Sequence, residues 1–561
     1  MFCPNCGAEI EDDAVFCSDC GTRLQDMENA GPDVADQTVN TAEETDGVYA
    51  DGGRKKRGKK RKAPVIILIL VPIAAAAAAV VLLIMKGLIT LPGKLGSTSK
   101  LNRNNYITAA VDEDGKAYIP TMDGKTIEIS GDIQKAAMTP DRKRIVVLQE
   151  NGTLYITDSG QKDKNKIARD VQGFGIVQDE GFCYADEDGK THRYLFKDES
   201  DVNLGEISRS KCSDINFHIA YVNDKGVYLL SGDSDEKVKL GNYKGSCSIL
   251  AVNDDGRTVY WEDVLAEGNK HETNVYKNVG EEKTKIGTFT TGENYYSSTF
   301  VTQNLDQSYA VIYKPDTEGI YIVSGEDAVK VKLTPQYGIY TENTAVAIDS
   351  ADSFSELYTL TADGELYCID PEGEKEEILS DVTDFGIEDH ILYYLDTDEQ
   401  LRRAEVSGTE ITNDEKIAKN VSGILNHLNG YVYFYKAEDS EDGADLYVYK
   451  EGKNQLHIAS DVYTNYTRYT EDQKTIFYLK DYDSDTMAGK LYSYSYGDKE
   501  DQKIASEVRY GSFYSSGIRY IDEHSLIYRK YQYEEDGTTV YDWYYYNGRK
   551  SDKFAKEVHF N

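Results

Sequence analysis

Four cysteines near the N-terminus carry the clearest chemistry in this sequence. They form two Cys-x2-Cys pairs, Cys3 with Cys6 and Cys17 with Cys20, which are separated by ten residues. A glycine follows each pair and lets the chain turn so that backbone amides face the sulfur atoms. Four thiolates at this spacing predict a tetrahedral site that binds a structural Zn²⁺ and leaves no coordination position open for a substrate.

The residues around these cysteines resemble a known family. The runs Cys-Pro-Asn-Cys-Gly-Ala-Glu-Ile at 3–10 and Phe-Cys-Ser-Asp-Cys-Gly-Thr at 16–22 resemble the short zinc-ribbon domain at the N-terminus of many bacterial membrane proteins. The resemblance implies a zinc ribbon over residues 1–24 that contacts an unknown cytoplasmic protein. Catalytic or redox chemistry is disfavoured because the site is closed, and direct DNA binding is disfavoured because the surrounding leader is acidic.

A long apolar run predicts a membrane anchor. Residues 63–85 contain no charged side chain, and as a helix they span about 34 Å, enough for the hydrocarbon core of a bilayer. The sequence therefore predicts one transmembrane helix at 63–85. A cleaved signal peptide is the alternative, but the apolar run continues past its alanines and the leader before it is too long.

The distribution of charge predicts the orientation of the anchor. Residues 1–53 have a net charge of −12, whereas the stretch from Arg54 to Lys62 carries eight positive charges. By the positive-inside rule the N-terminus lies in the cytoplasm and residues 101–561 lie outside the cell. Residues 25–62 are predicted to be a disordered acidic tether whose basic end binds anionic lipid headgroups, and residues 86–100 a linker.

The remaining residues, 101–561, are predicted to be mainly β. The chain has 45 tyrosines against 15 phenylalanines, which suits strands with one buried face and one wet edge. A closing tag of the form Ala-x-Asp-Val, or a close variant, recurs. It ends at Val171, Val382, Val421, Val462, Val508 and Val558, with intervals of 39, 41, 46 and 50 residues from Val382 onward. Four short strands fit each interval, which predicts a β-propeller of about eight to ten four-stranded repeats, as one large ring or, alternatively, two rings in tandem.

Local patterns in this part also resemble known propellers. Thr139-Pro140-Asp141 and the segment 469–472, each before a strand-like run, resemble the outer hairpins of WD40-like and TolB-like propellers. The Leu-Tyr-x-Tyr patterns resemble the repeats of an uncharacterised family of Gram-positive surface proteins. These resemblances imply a domain of the cell surface.

No residue pattern in 101–561 predicts catalysis. The acidic cluster at 481–485 lacks the glycine of a calcium loop and favours a solvated hairpin, and no nucleophile-elbow, zinc-protease or phosphate-loop motif occurs. The eight histidines show no ligand spacing. The other four cysteines are predicted to be buried free thiols, with disulfides as the alternative: Cys183, Cys212, Cys247 and Cys368.

These features together predict a single-pass protein of the cell membrane that binds, senses or scaffolds and is not an enzyme. The outer propeller would recognise a protein, a peptide or a cell-wall glycan. The net charge of −36 excludes nucleic acid as an ordinary partner. The alternative is an extracellular lyase or hydrolase that acts on a polysaccharide.

Overall fold

The computed structural model describes residues 106–560 with short gaps. The gaps are 122, 124, 161–163, 269, 293–297, 305, 337–345, 350–355, 438–442, 471, 511–517, 523–524 and 536–537. The chain divides into two compact parts, Met1–Pro92 and Gly93–Asn561, and every described residue lies in the second. The predicted zinc ribbon at 1–24, tether at 25–62, transmembrane helix at 63–85 and linker at 86–100 all lie outside the described residues.

Every regular element of the described residues is a β-strand, which confirms the mainly β prediction for this part of the chain. Among these residues, none forms a helix with the length and apolar character needed to cross a membrane. The strands group into eleven successive antiparallel units, which we number along the chain.

Units 1 to 4 lie at the N-terminal end of the described chain. Unit 1 contains β2 (Ala110–Val111), β3 (Ala117–Pro120) and β4 (Thr126–Ile129), and β1 (Ile107–Thr108) precedes it. The strands of units 2, 3 and 4, four to a unit, are β5 (Ile133–Met138), β6 (Arg144–Gln149), β7 (Leu154–Asp158), β8 (Lys164–Ala168), β9 (Gly173–Gly175), β10 (Gly181–Ala185), β11 (Thr191–Leu195), β12 (Asp201–Gly205), β13 (Arg209–Cys212), β14 (Ile219–Asn223), β15 (Gly226–Leu230) and β16 (Lys237–Gly241).

Units 5 to 8 are also separate sheets of four strands each. Their strands are β17 (Ser246–Val252), β18 (Thr258–Glu267), β19 (Lys270–Val279), β20 (Glu282–Gly292), β21 (Phe300–Gln303), β22 (Tyr309–Tyr313), β23 (Ile320–Ser324), β24 (Asp327–Val331), β25 (Val346–Asp349), β26 (Glu356–Leu360), β27 (Leu366–Ile369), β28 (Lys375–Leu379), β29 (Val382–Glu388), β30 (Ile391–Asp396), β31 (Leu401–Ser407) and β32 (Glu410–Ala418).

Units 9 to 11 are joined into one eleven-stranded sheet. Their strands are β33 (Val421–Leu428), β34 (Tyr431–Ala437), β35 (Ala444–Lys450), β36 (Leu456–Tyr469), β37 (Thr475–Asp483), β38 (Ala488–Ser495), β39 (Gln502–Arg509), β40 (Ile518–Asp522), β41 (Ser525–Glu535), β42 (Thr538–Tyr546) and β43 (Ser551–Phe560). The long strand β36 closes unit 9 by pairing with β35 and opens unit 10 by pairing with β37. Ten units therefore have four strands, at the upper end of the predicted range, and unit 1 has three.

The recurring tag lies where one unit ends. The tags ending at Val171, Val382 and Val421 link the last strand of one unit to the first strand of the next, and the three later tags lie within β36, β39 and β43. Its third residue has a left-handed backbone at Asp170, Asp381, Asn420, Asp461, Glu507 and Glu557, with φ between 56° and 58° except for 53° at Glu557. After three of these tags the N–H of the valine donates to a carbonyl in the turn between the second and third strands of the unit, as Val171 does to Gly152 at 3.0 Å and Val382 to Gly364 at 2.9 Å. The tag therefore recurs because the units that carry it share the same left-handed backbone conformation.

Consecutive units share hydrophobic cores throughout the described chain. Between units 2 and 3, for example, Val146 and Leu148 pack with Phe174 and Phe182. First strands of neighbouring units contact each other from unit 4 to unit 9, as β13 does with β17 and β29 with β33. We call the first strand of each unit its inner strand.

The two ends of the described chain also share a core. Ile107, Ala110 and Ala117 from the N-terminal end belong to one cluster with Ile527 and Val558 from unit 11. Strands β2 and β3 contact β43. The strand that carries the last tag therefore contacts unit 1, which has three described strands.

Candidate functional site

The cysteines of the second part are free thiols, as predicted. Cys183, Cys247 and Cys368 are buried, and burial raises the pKa of the first two thiols to about 12 and of the third to about 11. Thiols with such pKa values are poor nucleophiles and poor metal ligands at neutral pH. The predicted zinc ligands Cys3, Cys6, Cys17 and Cys20 lie outside the described residues, and within residues 106–560 as described no group of three or more His, Cys, Asp or Glu could hold a metal ion.

A cavity of about 470 Å³ lies where units 2, 3 and 4 meet. Its walls come from the loops that join the first strand to the second and the third strand to the fourth, and in an antiparallel unit these loops lie at the same end. We call it the loop-end cavity. Its lining residues are Arg144, Asp179, Glu180, Leu195, Phe196, Lys197, Asn216, His218, Gly232 and Asp233.

His218 is a fixed, neutral part of the cavity wall. Its Nδ1 accepts the N–H of Gly232 at 2.8 Å, and its Nε2 lies 3.2 Å from the carbonyl of Asp254, to which it can donate. Burial lowers the pKa of the imidazole, which favours this neutral form. Ser231 Oγ is 3.1 Å from Nδ1, but its hydroxyl donates a hydrogen bond to the carboxylate of Asp233 at 2.6 Å. The serine and histidine therefore do not form a nucleophile with its base.

The same wall is strained and tightly packed. Asn216 and Phe217 have left-handed backbones with φ of 66° and 51°, a conformation that is costly for a buried phenylalanine. Gly232 is required here, since a Cβ at this position would lie 1.6 Å from the carbonyl oxygen of Asn216. Gly256 is required too, since its Cβ would lie 2.5 Å from the imidazole of His218. Such a wall is preorganised, since close packing leaves little room for rearrangement.

The opposite wall pairs a cation with an aromatic ring. The guanidinium of Arg144 lies 4.9 Å from the ring centroid of Phe196, and the exposed Lys197 follows directly. Asp179 accepts the backbone N–H of Asp141 at 2.8 Å, which joins the loops of units 2 and 3. The cavity thus offers charges of both signs beside an apolar surface. This arrangement suits recognition of a ligand that itself carries both charges, such as a peptide.

Hydrogen bonds between neighbouring loops hold this end of the units together. Gln178 donates to the carbonyl of Ser213 at 3.1 Å, and the N–H of Ile215 donates to Asp254 at 3.1 Å. The N–H of Asp254 in turn donates to Gln307 at 2.8 Å. The wall of the cavity is therefore braced by units 5 and 6, which do not line it.

Sequence reasoning found one loop at this end but not the cavity. Thr139 Oγ1 donates to Asp141 at 2.6 Å and accepts the N–H of Arg144 at 3.1 Å, and Thr470 repeats the pattern with Asp472 at 2.7 Å. Both loops were expected to be outer hairpins, and this was wrong, because they join the first and second strands of units 2 and 10. The lining residues come from three units, so no local spacing in the sequence marks them.

One comparison with known proteins concerns the N-terminal cysteines. Residues 2–24 match the zinc-ribbon domain family. The zinc ribbon is a metal-binding domain, and the four thiol donors of this one are the set that suits Zn²⁺. A comparison with curated proteins gives no match for the chain.

Three solved structures align with much of the chain at low TM-scores. A eukaryotic initiation factor aligns with a TM-score of 0.38 and 9% identity over 71% of this chain and 96% of that one. Oligogalacturonate lyase from Vibrio parahaemolyticus aligns with a TM-score of 0.30 and 11% identity, over 54% of this chain and 92% of the lyase. Dipeptidyl peptidase 4 from Porphyromonas gingivalis gives 0.34 and 11%, over 73% of this chain and 64% of the peptidase. Scores this low carry no argument about activity.

Proposed function

We propose that this protein is a single-pass membrane-anchored binding protein whose β-domain recognises a peptide or protein segment outside the cell. The observation that carries the proposal is the loop-end cavity, which has a rigid wall, an aromatic surface and charges of both signs. His218, the one imidazole in its lining, is fixed in a neutral form by two hydrogen bonds. A site with these properties binds and orients, and it supplies no nucleophile.

The zinc ribbon is the cytoplasmic module in this proposal. Cys3, Cys6, Cys17 and Cys20 bind one Zn²⁺, which cross-links a module too small to fold on a hydrophobic core alone. The ribbon then presents a surface to a cytoplasmic protein. Zinc content of the full chain before and after Cys17→Ser tests this, since loss of one thiolate should release the metal. Equal zinc in both chains would contradict the assignment.

The apolar segment 63–85 anchors the protein in the cell membrane, with anionic lipid headgroups held by the basic stretch from Arg54 to Lys62. The support is the length of the uncharged run and the charge difference across it. Protease added to intact cells should remove residues after about 100 and spare the zinc ribbon. Protection of the β-domain would reverse the orientation.

We further propose that the eleven units close into one β-propeller rather than two rings. The support is the core shared by units 1 and 11, together with contacts that otherwise run between consecutive units of the described chain. Two rings would require contacts between non-consecutive units in the middle of the chain. The main strand–strand contacts among the described residues include none of that kind.

Binding is tested on the full chain in detergent micelles. The probes are a panel of short peptides that carry both charges and, as a second arm, uncharged cell-wall glycan fragments. We expect a peptide to bind and Arg144→Gln to weaken it by at least about tenfold, because a charge-assisted hydrogen bond is lost. The control is Lys453→Gln, in a separate cavity between units 8 and 9. Binding of glycans alone, turnover of a polysaccharide, or equal peptide affinity in Arg144→Gln would overturn the proposal.

A further inference from the structure

The guanidinium of Arg144 belongs to the lining of the loop-end cavity and has no polar partner among the residues that the structure describes. The backbone N–H of Arg144 donates to Thr139 Oγ1 at 3.1 Å, and its carbonyl accepts the N–H of Thr139 at 2.9 Å, so the base of the side chain is fixed. The guanidinium carbon lies 4.9 Å from the centroid of the Phe196 ring. A cation–π contact of this kind uses no N–H donor. The side chain therefore keeps its hydrogen-bond donors available for an anion.

The other charges of the lining limit which anion can bind. Lys197, which is exposed, adds a second cation. The lining also contains three carboxylates, those of Asp179, Glu180 and Asp233. A hydrogen bond from a neighbouring serine hydroxyl lowers the pKa of Asp233, so this group is ionised at neutral pH. These carboxylates repel a dianion such as a phosphate ester more strongly than a single carboxylate.

Apolar surface lies directly beside the two cations. Leu195 and Phe196 precede Lys197 in the chain and line the cavity together with it. The last residue of a polypeptide carries its carboxylate and its side chain on one carbon, so it requires a cation and an apolar surface side by side. An internal aspartate or glutamate has no apolar branch next to its carboxylate. The contact between Arg144 and Phe196 therefore favours a chain end with an apolar last residue over an acidic side chain.

Asn216 supplies a group that a peptide backbone can bind. It lies in the loop between β13, the inner strand of unit 4, and β14, and it is exposed. Its side chain has no hydrogen bond to another described residue. Its backbone is held in place, because its φ is 66° and its carbonyl packs against Gly232. A side-chain amide has donors and an acceptor, so it can pair with the N–H and C=O groups of a peptide unit.

We propose that the loop-end cavity binds the free C-terminus of a polypeptide, with Arg144 and Lys197 on the carboxylate and an apolar last side chain beside Phe196. This inference rests on the proposed function and narrows it from any peptide segment to a chain end. The cavity volume of about 470 Å³ falls in the range of sites for small molecules, about 300–1,000 Å³, which suits the last few residues of a flexible chain. A guanidinium can bind a carboxylate through two parallel hydrogen bonds, which gives the contact its specificity.

The first test compares two forms of one peptide on the full, unaltered chain in detergent micelles. The peptide is N-acetylated, contains one lysine and ends in leucine, and it is used as the free acid and as the C-terminal amide. We expect the free acid to bind and the amide to bind at least about tenfold more weakly, because the charge-assisted hydrogen bonds are lost. An amidated peptide with phosphoserine in place of leucine should also bind more weakly than the free acid. Titration calorimetry measures all three affinities.

The second test asks whether Arg144 is the group that reads the carboxylate. Arg144→Gln should weaken the free acid by at least about tenfold and leave the amide within about twofold, so that the two forms bind alike. Loss of structure would instead weaken both forms. The matched control is Arg468→Gln, which removes an exposed arginine whose guanidinium carbon lies 5.6 Å from the ring centroid of Tyr466 in unit 10. The difference between free acid and amide should persist in this control.

The outcomes separate this inference from the proposed function. Equal binding of free acid and amide, or tighter binding of the phosphoserine peptide, would overturn the chain-end inference and leave a peptide-binding site in place. A difference between free acid and amide that persists in Arg144→Gln would also overturn it, because another group would then bind the carboxylate. If no peptide binds in any form, the chain-end inference and the proposed function are both wrong.

Discussion

Tyrosine hydroxyls of second strands donate to carboxylates on the fourth strands of the same units. Tyr394 donates to Asp414 at 3.1 Å, and Arg402 binds the same carboxylate through two nitrogens at 3.0 and 2.8 Å. In unit 3, Tyr184 donates to Asp201 at 2.5 Å, and His192 contacts that carboxylate at 2.9 Å. The rings are buried and the hydroxyls reach the edge of the sheet, which explains why the aromatic positions of this chain carry tyrosine.

Residues of opposite charge are also buried between units 5 and 6. Glu262 and Lys314 are each less than a tenth exposed, and burial raises the pKa of the carboxyl and lowers that of the amine. Glu262 Oε2 has no hydrogen-bond partner, and Lys314 is one of the few charges near it. The two groups therefore depend on each other more than a surface pair would.

Lys314→Met should destabilise the protein by about 3–5 kcal/mol near neutral pH, because it leaves a buried carboxylate without its counter-charge. The double variant Glu262→Gln with Lys314→Met should recover most of that loss.

The pKa of Glu262 lies above its unfolded value, so the stability linked to its protonated form is present at low pH and is lost as pH rises through the folded pKa. The single variant should accordingly lose less stability near about pH 5 than near about pH 7. Urea unfolding at both pH values measures this, and a double variant no better than the single one would show that the charges are not coupled.

At the scale of the element, the link between units depends on backbone conformation rather than on side-chain contacts. Asn420 has a φ of 56°, is exposed, and directly precedes Val421, whose N–H donates to the carbonyl of Glu399 at 3.0 Å. Asparagine, aspartate and glycine tolerate this left-handed conformation, whereas β-branched residues do not. All six tags carry aspartate, asparagine or glutamate at this position, and none carries a β-branched residue.

Asn420→Val should therefore lower the free energy of unfolding by about 1–2 kcal/mol. Asn420→Gly should change it by only about a few tenths of a kcal/mol. Lys419→Val is the control, since Lys419 is an exposed neighbour without a left-handed backbone. The measurement is the urea midpoint of each chain. If valine at 419 and at 420 had the same effect, conformation would not be the reason for the tag.

The tag also shows how far the sequence could predict the fold. It was readable after Val382 because each link there makes the same left-handed reversal before an apolar residue. It could not be followed through unit 5, where β18, β19 and β20 are 10, 10 and 11 residues long and lengthen the repeat. The loop-end cavity was beyond prediction, because its lining depends on how units 2, 3 and 4 pack and not on any spacing within one of them.

At the scale of the whole molecule, the core shared by the two ends is the feature on which a closed ring depends. Each inner unit buries both faces against its two neighbours, and an open array would leave one face of unit 1 and one of unit 11 without a neighbour. Val558 is 4% exposed in the cluster that contains Ile107, Ala110 and Ala117. The C-terminal residues of the last tag thus cover apolar surface at the N-terminal end.

Val558→Asp should expose this junction, because an unpaired carboxylate cannot be buried there without a cost of several kcal/mol, about 3 or more. Lys556→Asp introduces the same residue at an exposed position of the same strand and should have little effect. The decisive readout is hydrogen exchange by peptide. In a closed ring, Val558→Asp must speed exchange in β3 (Ala117–Pro120) as well as in β41, β42 and β43, because the two ends then open together. Faster exchange limited to unit 11 would mean that the ends only touch, and that the units form an open array whose first and last faces are covered in some other way.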